Sequence, residues 1–135
     1  MQVVYKPWLW TPPKRFRDAV QYAIDAMCLE EIPGTLTIEC KSKTGKEMLG
    51  DSYYDGIDEY TIRLWTLDLS TLFHEMVHIM QYANYELEVY GEGHGYWQGQ
   101  TIKGLTYETS PWEIEAYHIE QILLKCFNAQ REKNS

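Results

Sequence analysis

The residues best suited to chemistry in this chain are two histidines four positions apart, in the sequence His74-Glu75-Met76-Val77-His78. If this segment is helical, the two imidazoles lie one turn apart on the same face, so both can bind one metal ion. Glu75 is rotated by about 100° from His74 around the helix. Its carboxylate can therefore reach a metal-bound water without binding the metal. The pattern is HExxH, which provides two zinc ligands and a general base.

The neighbours of this motif are apolar, with Leu72 and Phe73 before it and Ile79 and Met80 after it. Two histidines and a glutamate buried among such residues need polar partners, and a metal ion provides one. The alternative is that other side chains satisfy both histidines without any metal. We favour the metal and expect Zn²⁺.

Catalytic zinc sites use three protein ligands and keep one position open for water, so a third ligand is required. The longer pattern HExxHxxGxxH is excluded, because Gln81 and Asn84 occupy the positions of its glycine and third histidine. The remaining candidates are His94, Glu113, Glu115 and His118.

We favour Glu113 over Glu115 as the third ligand. Ala116 follows Glu113 by three residues, which gives E-x-x-A on one face of the final predicted helix. A competing role for Glu113 is that of the N3 glutamate in a capping box that begins at Ser110. Glu115 is the alternative ligand, unless it is simply a solvated side chain.

Further candidates could support the reaction around the metal. The developing oxyanion needs a donor besides zinc, and Tyr107, Tyr117 and His94 are the candidates. His94, which lies between glycines, is a weaker ligand candidate but is well placed to approach a substrate. His118 falls on the polar face of its helix. Asp68 could accept a hydrogen bond from a ligand imidazole, or it could cap the helix of the motif.

Apolar periodicity predicts the elements that position these residues. We expect a helix over residues 12–30, a strand over 35–41, a weaker strand within 47–54 and a strand over 59–65. The strand at 60–65 could pair with an extended substrate by edge addition.

The second half of the chain carries the motif. A second helix is expected from Asp68 or Ser70 to about Tyr85, followed by a glycine-rich hairpin or meander over residues 86–107. A third helix should begin at Ser110, with a fraying tail from Asn128. The whole is predicted to be one α+β domain over residues 1–135, with three helices and a small, mostly antiparallel sheet.

On these motifs the chain resembles the zincin metallopeptidases, specifically their small glutamate-type members. The resemblance rests on the HExxH motif followed by Gln81, on Tyr-Trp-Gln-Gly at residues 96–99 and on the segment 111–116. It covers about residues 65–125. The chain is similar to short metallopeptidases often encoded by bacteriophages and related to the ImmA/IrrE-type and SprT-like groups.

The two groups of metallopeptidases imply different third ligands. In the ImmA/IrrE-type pattern the third ligand is a glutamate followed three residues later by alanine, which implies Glu113. SprT-like proteins use a third histidine and often carry a basic DNA-binding extension. This chain has no well-placed equivalent histidine and is acidic, so the resemblance does not imply a DNA-bound protease.

The resemblance implies zinc-dependent hydrolysis of peptide bonds, with Glu75 as the general base and a peptide or protein as the substrate. The main alternative is a non-catalytic regulatory or binding module that zinc stabilises. Hydrolysis of another amide or ester is a third possibility, because activated water attacks those bonds as well.

The overall composition limits the partners. Lys and Arg number 12 against 20 Asp and Glu, a formal net charge of −8. Such a chain has no electrostatic attraction for nucleic acid or anionic membranes, and no apolar run approaches the roughly 20 residues that span a bilayer. Cys28, Cys40 and Cys126 are expected to be buried reduced thiols, because they are far apart and odd in number. With no signal pattern at the N-terminus, we expect a cytoplasmic protein whose oligomeric state the sequence leaves open.

Overall fold

The computed structural model describes residues 1–7, 11–41, 48–91, 94–103 and 110–133. It has three helices and seven strands in these ranges, which confirms the α+β class. In chain order these elements are β1 (Gln2–Pro7), α1 (Lys14–Ala26), β2 (Thr35–Cys40), β3 (Gly50–Tyr54), β4 (Glu59–Leu64), α2 (Leu69–Ala83), β5 (Leu87–Gly91), β6 (His94–Trp97), β7 (Gln100–Thr101) and α3 (Pro111–Lys133).

Four of the strands form a mixed sheet in the order β1-β2-β4-β3. β1 and β4 both run parallel to β2, whereas β3 runs antiparallel to β4. Together with the second sheet, three of the five strand pairs among the described residues are antiparallel. The parallel pairs arise because α1 separates β1 from β2 and β3 separates β2 from β4, which leaves enough chain for crossover connections.

β1 was not predicted from the sequence. Its residues alternate, since Val3 and Tyr5 pack against the core while Val4 is exposed. That period of two was the available signal. The strand matters because it lengthens the sheet on the side away from the HExxH helix.

One face of the mixed sheet carries the core. Alternate residues of β2 and β4 are fully buried and pack with the helices, among them Leu36, Ile38, Ile62 and Leu64. Three aromatic rings join the helices to one another. Tyr22 of α1 lies 5.5 Å from Phe127 of α3, and Phe73 of α2 lies 5.9 Å from Phe127. Such contacts fix α2 and α3 side by side.

β5, β6 and β7 form a separate antiparallel meander, as predicted for this segment within its described residues. Gln98 and Gly99 connect β6 to β7 with φ values of 49° and 83°, as a two-residue type I′ turn requires. The ring of Trp97 lies 6.1 Å from that of Trp112 in the first turn of α3. The meander is thereby attached to the start of the last helix.

Two helix boundaries differ from the prediction. α1 spans Lys14–Ala26 and not 12–30, because Cys28 adopts a positive φ of 57° and ends it. α3 does not fray from Asn128 but continues to Lys133. Phe127 is buried, and the Arg131 guanidinium lies 5.8 Å from its ring, so the last turns are held by packing.

The cysteines are free thiols, but only Cys40 is buried, whereas Cys28 and Cys126 are exposed. The predicted burial is therefore wrong for two of them, which lie on the outer surfaces after α1 and on α3. Across the described residues, no helix combines the length and the apolar character needed to cross a membrane.

Two glycines, one directly before β2 and one between β3 and β4, allow a test of the backbone packing at the starts of these strands. Gly34, at φ 117°, would place a Cβ atom 2.3 Å from the Asp58 carbonyl oxygen, whereas Gly56, at φ 90°, has open space around it. A side chain at positive φ costs about 1–2 kcal/mol, so we expect that loss for Gly56→Ala. Gly34→Ala adds a clash with backbone, so its loss should exceed about 3 kcal/mol. Urea denaturation of both variants measures the difference, and equal losses would contradict the packing around Gly34.

Candidate metal centre

α2 places the motif in the interior of the protein. His74, Glu75 and His78 are each 7% exposed, and Leu72 and Phe73 before the motif and Ile79 after it are fully buried. The helix forms because its apolar residues are almost continuous and pack into the core. The motif is therefore helical and buried, as predicted.

The first turn of α3 brings a carboxylate to the two histidines. Oε1 of Glu113 lies 2.8 Å from Nε2 of His74 and 2.9 Å from Nε2 of His78. One donor atom from each residue lies within 4.8 Å of the other two, and Glu113 is 8% exposed. The predicted set of His74, His78 and Glu113 is thus brought together. Ala116, which is fully buried, allows α3 to approach α2 closely.

The other ring nitrogens face acceptors. Nδ1 of His74 lies 3.0 Å from Oε1 of Glu120, and Nδ1 of His78 lies 2.7 Å from Oε1 of Gln81. The Gln81 amide is oriented by its own Nε2, which donates to the Trp112 carbonyl at 3.0 Å and to Glu115 at 3.1 Å. Each Nδ1 therefore carries a proton.

These tautomers decide what the Nε2 atoms can do. A neutral imidazole protonated at Nδ1 presents a lone pair at Nε2, and both lone pairs here point at an anionic oxygen of Glu113. The arrangement is stable only if both imidazoles take up a second proton or a cation lies between the three atoms. Two histidine nitrogens and a carboxylate oxygen form a donor set that Zn²⁺ prefers. Acceptors on the distal nitrogens are also typical of histidine ligands. The residues thus fit zinc.

The pKa values of the three groups also reflect the need for protons or a cation between the histidines and Glu113. Burial lowers the pKa of His74 and of His78, but hydrogen bonds to Glu113 and the nearby carboxylates outweigh it, so both pKa values are raised. For Glu113, burial acts to raise the pKa, yet the hydrogen bonds to both histidines dominate and lower it to about 2. The carboxylate is therefore ionised throughout the neutral range.

Glu75 differs from Glu113 in its surroundings. Burial raises the pKa of its carboxyl group, although His78 and a hydrogen bond to Ser52 oppose the rise. Glu75 is not part of the donor group, but it lines a cleft of about 520 Å³ together with the three donors. A carboxylate with a raised pKa beside a metal position is suited to general base chemistry.

β3, and not β4, forms the wall of this cleft. The predicted edge role of residues 60–65 is wrong, because β4 lies between β2 and β3 and has a partner on each side. β3 is the edge strand, and Gly50, Asp51 and Ser52 line the cleft. Arg63 of β4 fixes this edge through two hydrogen bonds to the Asp51 carboxylate.

The remaining predicted residues lie around the centre. Glu115 contacts Gln81 and is not part of the donor group. Tyr117 packs its ring 4.5 Å from the His74 imidazole. His94 is exposed on β6, and His118 is exposed on α3. Tyr107 lies outside the described residues.

Asp68 does not take the role proposed for it beside the metal. Its Oδ2 atom accepts hydrogen bonds from Ser70 at 2.8 Å and Thr71 at 3.3 Å, and it occupies the N-cap position of α2. The acceptor for His74 is Glu120.

Three residues of the site were not assigned a role there from the sequence. Glu120 follows Glu113 by seven positions, hence two helical turns on the same face, and Gln81 follows His78 by three. Tyr82 follows His78 by four and lines the cleft. These helical spacings from the motif were the available signals.

Comparisons with protein-family models, curated proteins and solved structures gave no match for this chain.

Two glutamates of α3, two residues apart in the sequence, allow a test of the donor set. Glu113→Gln removes an anionic ligand, and we expect its affinity for Zn²⁺ to fall at least about 100-fold, since even loss of a ligand's hydrogen-bond partner costs 10–100-fold. Glu115→Gln is the matched control and should bind zinc within a few-fold of the unchanged protein. Isothermal titration of the metal-free proteins measures both. Equal affinities would remove Glu113 from the site.

The raised histidine pKa values predict a pH dependence of the metal-free protein. A group whose pKa is higher in the folded state stabilises fully below its unfolded pKa, ordinarily 6.5 for histidine, and loses that contribution as the pH rises through the folded value. With a chelator present, the free energy of unfolding should therefore fall as the pH rises above 6.5. Denaturation at a series of pH values measures it.

Two variants test whether the decrease in the free energy of unfolding arises at the candidate metal centre. His118→Gln, at an exposed histidine of α3, should leave the decrease unchanged. Glu113→Gln should reduce it, because the hydrogen bonds and the negative charge that raise both pKa values are lost. A decrease that survives in Glu113→Gln would place its origin elsewhere.

Proposed function

We propose that this protein is a zinc-dependent hydrolase of peptide bonds. His74, His78 and Glu113 hold the metal, and Glu75 is the general base. The observation that carries the proposal is the separation of two buried carboxylates: Glu113 joins the histidine nitrogens, whereas Glu75 stays outside the donor group and faces the cleft. A purely structural site has no need for the second carboxylate.

Each residue of the cleft has a defined part in this reaction. Zinc held by three protein ligands lowers the pKa of a bound water toward neutrality. Glu75 accepts a proton as water attacks the peptide carbonyl carbon, and it then donates that proton to the leaving nitrogen. Burial raises the pKa of Glu75, which makes its carboxylate a better proton acceptor than an exposed glutamate for the first of these steps. Gln81 and Glu120 keep the histidine rings oriented.

Tyr82 is a donor for the carbonyl oxygen in this proposal. Its hydroxyl has no hydrogen-bond partner among the described residues, and the residue lines the cleft beside the donors. Burial and the charges of Glu75, Glu113 and Asp51 raise its pKa to about 12, so the hydroxyl stays protonated and can donate. Tyr107, Tyr117 and His94 stay predictions for the same role.

The edge of β3 offers a binding mode for the substrate backbone. β3 has no strand partner on its outer side among the described residues, and it runs along the cleft past Glu75. An extended peptide can therefore add to this edge by main-chain hydrogen bonds. Such binding selects for an extended chain and not for a particular side chain.

A zinc-stabilised binding module is the second candidate, because the donors join α2 to α3 and a metal would hold the two helices together. Chelation separates the two proposals. A structural site should unfold when the metal is removed, whereas the catalytic site proposed here should lose hydrolysis and stay folded, given the large core between the helices and the mixed sheet.

The isosteric variant Glu75→Gln tests the general base. It should bind zinc as the unchanged protein does, yet its rate of peptide hydrolysis should fall at least about 100-fold, because proton transfer by a positioned side chain contributes about 10²–10⁴-fold. Cleavage of a peptide library, with the zinc content of each preparation measured in parallel, gives both quantities. Glu115→Gln is the matched control for the loss of a carboxylate. Equal cleavage by Glu75→Gln would contradict the assigned role.

A further inference from the structure

A second cavity, of about 480 Å³, lies next to the central cleft and is lined by the end of β3 and the start of the meander. Four residues line both spaces, namely Ser52, Tyr82, Leu87 and Val89. The second cavity is therefore an extension of the cleft along the edge strand. We call it the tyrosine pocket, because five tyrosines line it: Tyr53, Tyr54, Tyr82, Tyr85 and Tyr90.

The walls of the tyrosine pocket present aromatic surface to solvent. Tyr85 and Tyr90 are 71% and 72% exposed, and Tyr53 is 44% exposed. Tyr54 is held in place by stacking on Tyr60, with ring centroids 4.5 Å apart. Exposed aromatic side chains grouped around one cavity mark a binding surface more than a folding requirement.

The charges of the pocket are all negative. Asp55 and Glu88 are its charged residues among those described, and no Lys or Arg lines it. Oδ1 of Asp55 accepts the backbone N–H groups of Ile57 and Glu59, and Oε2 of Glu88 accepts the Tyr90 hydroxyl at 2.9 Å. Both carboxylates are thus fixed in position, and each keeps an oxygen without a hydrogen-bond partner in the described part of the chain.

A cation matches these walls better than a neutral side chain does. Tyrosine faces attract cations, and a planar guanidinium can stack on a ring while it donates hydrogen bonds to a carboxylate. Such an arrangement already exists between β3 and β4, since the Arg63 guanidinium of β4 lies 5.4 Å from the Tyr53 ring of β3 and donates a hydrogen bond to Asp51. Asp51 balances the charge of Arg63, so no described basic residue compensates the negative charge of the pocket itself.

We infer that the tyrosine pocket binds a basic side chain, arginine above lysine, of the peptide that occupies the central cleft. This inference rests on the proposed function, because it names the substrate class of the same site. An extended chain rises about 3.3 Å per residue. The pocket extends beyond Ser52 in the direction of β3, so it receives a side chain on one side of the bond in the cleft, a few residues away from it.

The test uses zinc-loaded Glu75→Gln protein, so that binding is measured without cleavage. The probes are fluorescein-labelled peptides that differ at one position, placed in turn on either side of the central residue: arginine, its neutral isostere citrulline, leucine or glutamate. Fluorescence anisotropy gives each Kd. We expect the arginine peptide to bind about tenfold more tightly than the citrulline peptide at one of the two placements, as one or two cation–π contacts allow.

Variants locate the effect. Glu88→Gln, added to the same protein, should reduce the preference for arginine to threefold or less, and Tyr90→Leu should also reduce it. Glu86→Gln is the matched control, because Glu86 lies two residues earlier, contacts Gln98 and does not line the pocket. It should leave the preference unchanged. Thermal melts verify that all variants are folded.

Several outcomes overturn the inference. Equal binding of arginine and citrulline peptides excludes a charge-selective pocket, and tighter binding of the leucine peptide makes it an apolar one. A preference that persists in Glu88→Gln and Tyr90→Leu places the selectivity elsewhere. Cleavage by the protein with Glu75 intact is measured on the same peptides. Cleavage without a preference for arginine contradicts the inference alone, whereas tight arginine binding without any cleavage contradicts the proposed function alone.

Discussion

The contact on which the centre depends is that between one carboxylate oxygen of Glu113 and the Nε2 atoms of His74 and His78. These three buried groups lie at the interface of α2 and α3. They repel or attract one another according to their protonation states. Each supporting feature serves this contact. Ala116 lets the helices approach, and Glu120 and Gln81 fix the imidazole tautomers. Without them the nitrogen lone pairs would not converge.

The surroundings of the centre divide into a rigid part and an exposed part. α2 and α3 are joined to α1 by the contacts of Tyr22, Phe73 and Phe127, so the donor atoms sit on well-packed helices. β3 and the meander, in contrast, leave several of their side chains along the cleft and the tyrosine pocket partly or largely exposed, Tyr53, Val89 and Tyr90 among them. This division suits a site in which the reacting groups must be held accurately while the neighbouring surface accommodates different ligands.

The sequence was sufficient for the parts of the site that follow from helical spacing. The motif lies on a buried helix as predicted, and Glu113 joins it with Ala116 on the same face. Contacts between distant segments could not be predicted from the sequence. The pairing of His74 with Glu120 spans 46 residues, and no local pattern indicates which acceptor a ring nitrogen will meet.

Sheet order was unpredictable for the same reason. β4 has a clear alternating pattern, but its sequence does not tell that β2 and β3 flank it and that the weaker strand becomes the edge. Parallel pairing of β1 with β2 depends on how the connecting helix α1 packs against the core, which is a property of the whole fold. The residue patterns therefore predicted elements well and neighbours poorly.

The long separation between Glu113 and the motif has a consequence for when the centre can exist. His78 and Glu113 are 35 residues apart, and the meander with its Trp97–Trp112 contact lies between them. During synthesis the motif emerges well before α3 is available to pack on α2. Loop closure over this distance is slow compared with local helix formation. Glu113 can therefore meet the histidines only after α3 has formed, and a chain in which α3 is not yet packed carries the motif without the complete donor set.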